Sequence, residues 1–417
     1  MPKFVITGGR KLDGKVQIES AKNSVLPLLA GAILTKENVT IKSCPKIIDV
    51  LNMIKILKKL GVKAEFLGND LVVDSSDINS YTIPSCLTKE LRSSVFMLGA
   101  LISRLRKARI SYPGGCEIGS RPIDIHISAL KKLGVDITEI GDEVICLAHN
   151  MRSEEIYLDF PSVGATENVI LASVLIDGLT VIRNAAREPE IEDLIEFLNS
   201  MGAKITGGGT EIVRIEGVKS LHGTEFNPMP DRIEAGTYLI SALITGGNVE
   251  LHNCRAENIL SVIHKFCNNT CKIDANNGII HIKGGERPKA FSICTNPYPG
   301  YPTDMQAQAM ALAAISDGTS FITENIFEMR FKHAVELKKM GADIKICGRM
   351  ATIQGVDSLS GADVYAKDLR GGASLVLAGL SAHGTTTVND IRHIERGYLD
   401  MDKKLALLGA DIIKLDS

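Results

Sequence analysis

The chain has 417 residues, 45% of them hydrophobic, which is enough for one to three domains with large cores. Its formal net charge is −2 and it contains no tryptophan, so it lacks the basic surface and stacking rings typical of nucleic-acid binding. It has no apolar run of about 18 residues and no signal-peptide pattern, and its nine cysteines are scattered. We therefore expect a cytoplasmic protein with reduced thiols that does not bind membranes.

The first glycine-rich stretch, Gly9 to Val16, has the spacing of a P-loop up to its last position. Val16 stands where a P-loop has the Ser or Thr that holds Mg²⁺, and Val16-Gln17-Ile18 has the pattern of a strand rather than a helix. We therefore do not expect a nucleotide-hydrolysing P-loop here.

The rest of the chain consists of six copies of one unit. Each copy contains a segment that is apolar nearly all round, which predicts a buried helix. The six predicted buried helices span residues 24–34, 93–103, 168–177, 235–245, 305–316 and 373–382. A short β-rich run and an amphipathic helix follow each of them.

The amphipathic helices set the period of the repeat, because they end at glycine, the usual helix stop. These glycines are Gly61, Gly134, Gly202, Gly341 and Gly409, so the intervals between them are 73, 68, 139 and 68 residues. The long interval corresponds to two periods, so we expect a diverged copy to end near residue 271. Six α/β units on one chain predict two domains of three units each.

In one unit, the segment from the last apolar residue of the β-rich run to the glycine that ends the amphipathic helix is about four residues longer than in the other units. The extra residues lie in the loop 111–122, which contains three glycines, two prolines and Cys116. Arg121 and His126 are close in sequence, and nearby cations make a thiol more acidic and more reactive. The alternative is a surface loop that happens to hold a free cysteine.

Charged residues recur at the N-terminal ends of the predicted buried helices. They are Lys22 with Asn23, Arg92, Asp231 with Arg232, Asp304 and Arg370. Helix N-termini favour anions, so repeated basic residues there predict an anion-binding pocket. Two alternatives remain open: the aspartates are N-caps, and the arginines pair with carboxylates.

A metal site is not expected. His264, Cys267 and Cys271 have a spacing that resembles metal ligands, but no fourth ligand follows at the spacing of a zinc site.

These motifs together resemble the enolpyruvyl transferases that act on UDP-N-acetylglucosamine, and the resemblance runs over the whole chain. The motifs that carry it are Lys22-Asn23, Arg92, Pro113 to His126, Gly300 to Asp304 and Asp368 to Gly372. The resemblance implies an α/β fold of two inside-out barrels built from six βαβαββ repeats. It also implies domains at 21–229, which carries the Cys116 loop, and at 1–20 with 230–417.

The same resemblance implies the reaction and its substrates. These enzymes transfer the enolpyruvyl group of phosphoenolpyruvate to the 3′-hydroxyl of UDP-N-acetylglucosamine and release phosphate, which begins bacterial peptidoglycan synthesis. They need no metal and no organic cofactor, and we expect a monomer. Two alternatives are the sister enzyme, which makes 5-enolpyruvylshikimate 3-phosphate, and a non-catalytic sensor of nucleotide sugars.

The resemblance also implies roles for individual residues. Lys22, Arg121 and Arg396 hold the phosphate of phosphoenolpyruvate, while Arg370 and Arg396 hold its carboxylate. Cys116 protonates the methylene carbon, and Asp304 takes the proton of the sugar hydroxyl. The remaining substrate-binding set is Asn23, Arg92, Pro122, Ile123, Asp124, Ile125, Ser162, Val163, Gly164, Ile326 and Asp368, together with Arg121 and Asp304. The match to the family is loosest at residues 160–164.

Overall fold

The computed structural model describes residues 1–112, 114, 123–267 and 272–416. These residues form two compact units, one made of residues 1–19 and 230–416 and the other made of residues from 20 to 229. Within the described part of the chain, none of the helices combines the length and the apolar character that crossing a membrane requires.

The unit of residues 20–229 contains three repeats. Its helices are Lys22–Gly31, Ile48–Lys59, Ser85–Glu90, Phe96–Leu105, Asp124–Lys132, Val163–Ser173 and Pro189–Ser200, with 3-10 turns at Ala32–Leu34 and Arg92–Val95. Its strands are Val39–Ile41, Lys63–Leu67, Asp70–Asp74, Lys107–Ser111, Asp136–Ile140, Glu143–Leu147, Glu155–Tyr157, Leu179–Arg183, Lys204–Thr206, Ile212–Glu216 and Thr224–Phe226.

Each repeat of this unit contributes one small sheet, and the last strand of the unit returns to the first sheet. Thr224–Phe226 lies parallel to Val39–Ile41, which in turn pairs antiparallel with Asp70–Asp74. The first repeat is therefore completed by residues at the far end of the unit, so its sheet forms only when all three repeats have been brought together.

The unit of residues 1–19 and 230–416 also contains three repeats. Its helices are Arg232–Thr245, Leu260–Phe266, Gln306–Ile315, His333–Lys339, Leu369–Ser381, Arg392–Glu395 and Met401–Leu407, with 3-10 turns at Ala256–Ile259 and Thr303–Met305. Its strands are Lys3–Thr7, Asp13–Gln17, Asn248–His252, Lys272–Asn276, Ile279–Lys283, Ser292–Cys294, Thr319–Thr323, Asp343–Cys347, Met350–Gln354, Asp363–Tyr365, Thr385–Asn389 and Asp411–Leu415.

The first two strands of the chain complete two sheets of this second unit. Lys3–Thr7 lies between Thr385–Asn389 and Asp411–Leu415 and is antiparallel to both. Asp13–Gln17 lies parallel to Asn248–His252, so the stretch with P-loop spacing ends in a strand, as the sequence predicts.

The apolar helices form the centre of each unit. In the first unit, Lys22–Gly31, Phe96–Leu105 and Val163–Ser173 contact one another. In the second, Arg232–Thr245, Gln306–Ile315 and Leu369–Ser381 do the same. Nearly every side chain of these helices is buried, including Leu26, Leu101, Ile170, Leu239 and Leu375. A helix that buries all its faces has no polar stripe, which explains the uniform hydrophobicity of these segments.

The six predicted buried helices are confirmed, but several of them begin earlier than predicted. The predicted helix 168–177 is Val163–Ser173, and the predicted helix 373–382 is Leu369–Ser381. The apolar pattern marks only the buried length of a helix, whereas the start is set by a capping side chain, here Ser162 and Asp368. The expected end of the diverged copy, near residue 271, lies outside the described residues.

Candidate active site

Lys22 is the first residue of the buried helix Lys22–Gly31, as the sequence predicts. Ala21 precedes it and has no side-chain acceptor for the N–H groups of the first turn, so this helix end keeps its positive character. Lys22 Nζ lies 3.2 Å from Oδ2 of Asp49, a carboxylate that is only 1% exposed. Because both side chains are largely buried, Asp49 fixes the direction in which the ammonium group points.

Asn23 and Arg92 lie on neighbouring structural elements of the same unit. Asn23 is the second residue of Lys22–Gly31, and Arg92 begins the 3-10 turn Arg92–Val95 that leads into Phe96–Leu105. Both residues are partly exposed, and the two helices contact each other. The structure therefore brings together these two elements, each of which starts with a predicted basic residue.

His126 and Asn168 form a buried polar cluster between helices of this unit. The Asn168 amide nitrogen donates to the Val95 carbonyl at 3.0 Å and lies 2.8 Å from His126 Nδ1, while its oxygen accepts from Gly99 N–H at 2.8 Å. Because an amide nitrogen only donates, Nδ1 is the acceptor, and a neutral His126 carries its proton on Nε2. Gly164 packs on this ring, since an added Cβ would lie 2.9 Å from His126 Cε1.

The other predicted residues of this unit lie at two helix starts. Ser162 is an N-cap whose hydroxyl oxygen accepts from Ala165 N–H at 3.3 Å, and Val163 and Gly164 form the first turn. At the second helix, Ile123 is buried, Asp124 is exposed in the first turn, and Ile125 is half-buried. Cys116, Arg121 and Pro122 lie outside the described residues.

In the other unit, Asp304 lies against two buried guanidinium groups. Arg330 Nη2 donates to Asp304 Oδ1 at 2.7 Å, and Arg370 donates to Oδ2 from Nη2 at 3.0 Å and from Nε at 3.2 Å. Arg330 and Arg370 are 5% and 3% exposed, so both guanidinium groups are buried, whereas the Asp304 side chain remains 27% exposed. Asp304 is therefore not the N-cap that one alternative proposed; its carboxylate is bound by side chains.

Arg370 is held in place by the start of its own helix. Asp368 caps Leu369–Ser381 by accepting from the N–H groups of Arg370 and Gly371 at 3.1 and 2.8 Å. The Arg370 guanidinium lies 5.3 Å from the centre of the Tyr398 ring, close enough for a cation–π contact. Burial alone would lower the pKa of Arg370, but the neighbouring Tyr398 and Asp304 outweigh burial and raise it. Arg370 is thus a fixed positive charge.

Ile326 and Arg396 are the remaining predicted residues of this unit. Ile326 lies in the turn after strand Thr319–Thr323, where its N–H donates to the buried Glu324 carboxylate at 2.8 Å. Arg396 directly follows the short helix Arg392–Glu395 and is half-buried.

The structure decides between the alternatives for Asp231. Asp231 is an N-cap that accepts from Ile233 and Glu234 N–H at 2.8 and 2.9 Å, which confirms the capping alternative for that residue. His264 and Cys267 lie at the end of helix Leu260–Phe266, and no group of three or more potential metal ligands occurs in the described ranges.

Several residues in contact with the predicted set were missed by the sequence analysis. They are Asp49, Asn168, Glu324, Arg330 and Tyr398. Some of them lie far along the chain from the residue that they contact, and the others do not occupy a recurring position of the repeat. The spacing of residues in the sequence therefore does not predict these contacts.

Comparison with known proteins first identifies the class of enzyme. The sequence profile described as EPSP synthase (3-phosphoshikimate 1-carboxyvinyltransferase) matches residues 6–405. The chain therefore belongs to this family of carboxyvinyl, or enolpyruvyl, transferases.

Individual relatives then narrow the comparison within the family. UDP-N-acetylglucosamine 1-carboxyvinyltransferase 2 of Caldanaerobacter subterraneus subsp. tengcongensis is 52% identical over 100% of both chains. The enzyme of the same name from Clostridium tetani is 47% identical, again over 100% of both chains. These relatives confirm the resemblance that the motifs indicated.

Solved structures confirm the predicted fold class. The enolpyruvyl transferase NikO from Streptomyces tendae has a TM-score of 0.89 at 24% identity, covering 100% of this chain and 99% of that one. EPSP synthase from Acinetobacter baumannii has a TM-score of 0.76 at 17% identity, covering 100% of both chains. At these identities, the similarity establishes the fold alone.

Proposed function

We propose that this enzyme transfers the enolpyruvyl group of phosphoenolpyruvate to the 3′-hydroxyl of UDP-N-acetylglucosamine and releases phosphate. The reaction would be the first committed step of peptidoglycan synthesis, carried out by a cytoplasmic monomer without a metal or organic cofactor. We also propose that residues 21–229 and residues 1–20 with 230–417 are its two domains. The observation that carries the proposal is Asp304, a candidate base held between Arg330 and Arg370.

Phosphoenolpyruvate carries two anionic groups, and we propose cationic side chains for both. Lys22, Arg121 and Arg396 are proposed to bind its phosphate, and Arg370 and Arg396 its carboxylate. Lys22 is suited to this role because Asp49 orients it at an uncapped helix start. Arg370 is suited to a carboxylate because a guanidinium offers paired N–H donors.

The nucleotide sugar requires a second, larger set of contacts. We propose that it is formed by Asn23, Arg92, Arg121, Pro122, Ile123, Asp124, Ile125, Ser162, Val163, Gly164, Asp304, Ile326 and Asp368. Ser162 and Asp368 already serve as N-caps, so their contribution is to hold the backbone of a helix start that faces substrate.

The reaction is an addition followed by an elimination. In the addition, the sugar oxygen bonds to C2 of phosphoenolpyruvate while Asp304 takes the hydroxyl proton and Cys116 gives a proton to C3. The bond between C2 and the phosphate oxygen then breaks, and loss of a proton from the new methyl group restores the double bond. The two protons, one from the methyl group and one from Asp304, end on the leaving phosphate and on the Cys116 sulfur, which regenerates the enzyme. Protonating carbon is the difficult step, for which a positioned acid contributes about 10²- to 10⁴-fold.

Binding of phosphoenolpyruvate is expected to change the partners of Asp304. Arg370 directs two N–H groups at Oδ2 of Asp304. A substrate carboxylate competes for the same guanidinium, and a carboxylate that loses a cationic partner becomes a stronger base. Asp304 would thus become an effective base only when the second substrate is present.

Phosphate release from phosphoenolpyruvate tests the proposal directly. We expect turnover with UDP-N-acetylglucosamine and none with either substrate alone. Turnover with shikimate 3-phosphate instead would favour the sister reaction, which makes 5-enolpyruvylshikimate 3-phosphate. Tight binding of UDP-N-acetylglucosamine without turnover would favour a non-catalytic sensor.

Variants of Cys116 test its role as the acid. Cys116→Ser should be slower by about 10²-fold or more, whereas Cys116→Asp should keep substantial activity because a carboxylic acid also donates a proton. Incubation with fosfomycin and UDP-N-acetylglucosamine should add the mass of the inhibitor at Cys116. An inactive but stably folded Cys116→Asp protein, or an unmodified mass, would contradict the role.

A further inference from the structure

We propose that Glu324 is a positioning residue for catalysis: its buried carboxylate ties the turn that carries Ile326 to the turn that carries Asp304. The spacing between these two turns would set where the acceptor hydroxyl meets its base. This inference rests on the function proposed above.

One oxygen of Glu324 organises the turn that follows its own strand. Glu324 is 1% exposed, and its Oε1 accepts from the N–H groups of Ile326 and Phe327 at 2.8 and 3.0 Å. The hydroxyl of Thr295 donates to the same oxygen at 2.9 Å. Three donors on one buried carboxylate oxygen fix the backbone of residues 325–327.

The other oxygen reaches a different segment of the chain. Glu324 Oε2 accepts from the Thr303 hydroxyl at 2.9 Å. Thr303 begins the 3-10 turn Thr303–Met305, whose next residue is Asp304. A single side chain therefore connects the backbone beside a predicted sugar-binding residue to the backbone beside the predicted base.

Thr295 extends this hydrogen-bond network, because its hydroxyl both donates and accepts. While its hydroxyl donates to Glu324, its oxygen accepts from Asn325 N–H at 3.0 Å. Thr295 is fully buried, so both bonds form away from water. The N–H and hydroxyl groups around Glu324 all donate to its carboxylate, so an apolar side chain there would leave buried N–H and O–H groups unpaired.

The bond from Glu324 to Thr303 is the contact that a positioning role requires and that a purely local structural role does not. Holding the 325–327 turn requires only the donors on Oε1, whereas the bond from Oε2 to Thr303 leads to the segment of Asp304. Asp304 already has its carboxylate fixed by Arg330 and Arg370, so the Thr303 bond fixes the backbone from which that side chain extends. Misplacement by about 1 Å can cost 10²-fold in rate.

The test uses substitutions at Thr303 that separate the hydroxyl from the shape of the side chain. Thr303→Val keeps the shape and removes the donor, and Thr303→Ser keeps the donor. We expect Thr303→Val to lower kcat by about 10- to 100-fold with little change in either KM, because the lost contact acts on the transition state. Thr303→Ser should recover most of that loss.

Thr319→Val is the matched control. It removes a threonine hydroxyl that bonds Gln354 on the exposed side of the strand leading to Glu324. We expect wild-type kcat from Thr319→Val, and thermal unfolding should show that all three variants remain folded at the assay temperature. Glu324→Gln should stay partly active, because its carbonyl can replace Oε1 and its amide can donate to the Thr303 oxygen.

The outcomes distinguish this inference from the proposed function. If Thr303→Val has wild-type kcat, or if the Val and Ser variants are equally slow, Glu324 does not position the base. If the wild type uses shikimate 3-phosphate rather than UDP-N-acetylglucosamine, the proposed function is wrong, and the same kcat ratios measured with that acceptor decide the inference. A wild type without turnover on either acceptor contradicts both.

Discussion

His333 provides a stability prediction that is independent of any substrate. His333 begins helix His333–Lys339 and is 3% exposed. It packs against the start of Leu369–Ser381, since a Cβ added to Gly371 would lie 3.1 Å from the Cβ of His333. Burial lowers the pKa of His333 from 6.5 to about 4; the neighbouring Arg330 lowers it as well, while Asp368 opposes the shift. The ring is therefore neutral in the folded protein at neutral pH.

The size and sign of the effect follow from linkage. Between pH 6.5 and about 4, the unfolded chain binds a proton at His333 that the folded protein does not, so the free energy of unfolding falls as the pH falls. With these two pKa values, lowering the pH from 7.5 to 4.5 costs about 2 to 3 kcal/mol at this residue. Above pH 6.5 the contribution is complete and does not change.

Replacing His333 by Gln removes the titrating group. Any packing lost with the ring is the same at both pH values, so it cancels when the pH difference of the variant is subtracted from that of the wild type. Urea unfolding followed by circular dichroism suits a chain without tryptophan. We expect the wild type to lose about 2 to 3 kcal/mol more than His333→Gln between pH 7.5 and pH 4.5.

His383 is the control, because it is exposed near the end of Leu369–Ser381. His383→Gln makes the same substitution at an exposed position and so controls for the change from histidine to glutamine itself. Equal pH dependence in the wild type and His333→Gln would refute the reasoning, since it would mean that His333 titrates alike in the folded and unfolded chains.

Three further predictions concern buried contacts of the candidate site. Asp49→Asn should raise the KM for phosphoenolpyruvate by about tenfold, measured by phosphate release, because Lys22 loses the charge that orients it. Arg330→Met should lower kcat by about 10- to 100-fold, with partial recovery in Arg330→Lys, because Asp304 loses a buried guanidinium partner. Asn168→Leu should lower the free energy of unfolding by about 2 to 4 kcal/mol, measured in urea, because it leaves buried backbone groups unpaired.

Each of these predictions has a clear contrary result. Asp77→Asn breaks an exposed pair with Lys63 and should leave the KM unchanged; a similar change there would show that the Asp49 effect is not local. Arg330→Met with wild-type kcat would show that the function of Asp304 does not depend on Arg330. An Asn168→Leu protein as stable as the wild type would show that water or a local shift satisfies the groups that Asn168 binds.

The repeat made much of the fold predictable from the sequence. Uniform apolar segments and regularly spaced glycines identified the buried helices and their period, because burial and helix termination act on neighbouring residues. The helix starts were less well predicted, since Ser162 and Asp368 begin their helices several residues before the apolar pattern. A capping side chain is a single residue and is easily overlooked beside a long hydrophobic run.

The site was predictable only where a motif carried it. The positions of Lys22, Arg370 and Asp304 at helix or turn starts were visible in the sequence, but their partners were not. Asp49 meets Lys22 from a separate helix, and Arg330 meets Asp304 across two intervening elements. Such pairs depend on how elements pack, which neither spacing nor composition reveals.

The placement of strand Lys3–Thr7 has a consequence for biosynthesis. Its hydrogen-bonding partners are residues 385–389 and 411–415, which leave the ribosome almost a whole chain length later. At about 5 to 20 residues per second, the strand waits roughly 20 to 80 seconds for them. Residues 20–229 contain every strand of their own three sheets, so this unit can fold during that time. Ribosome-bound chains halted after residue 300 should therefore hold a protease-resistant middle segment flanked by a still-cleavable leading strand.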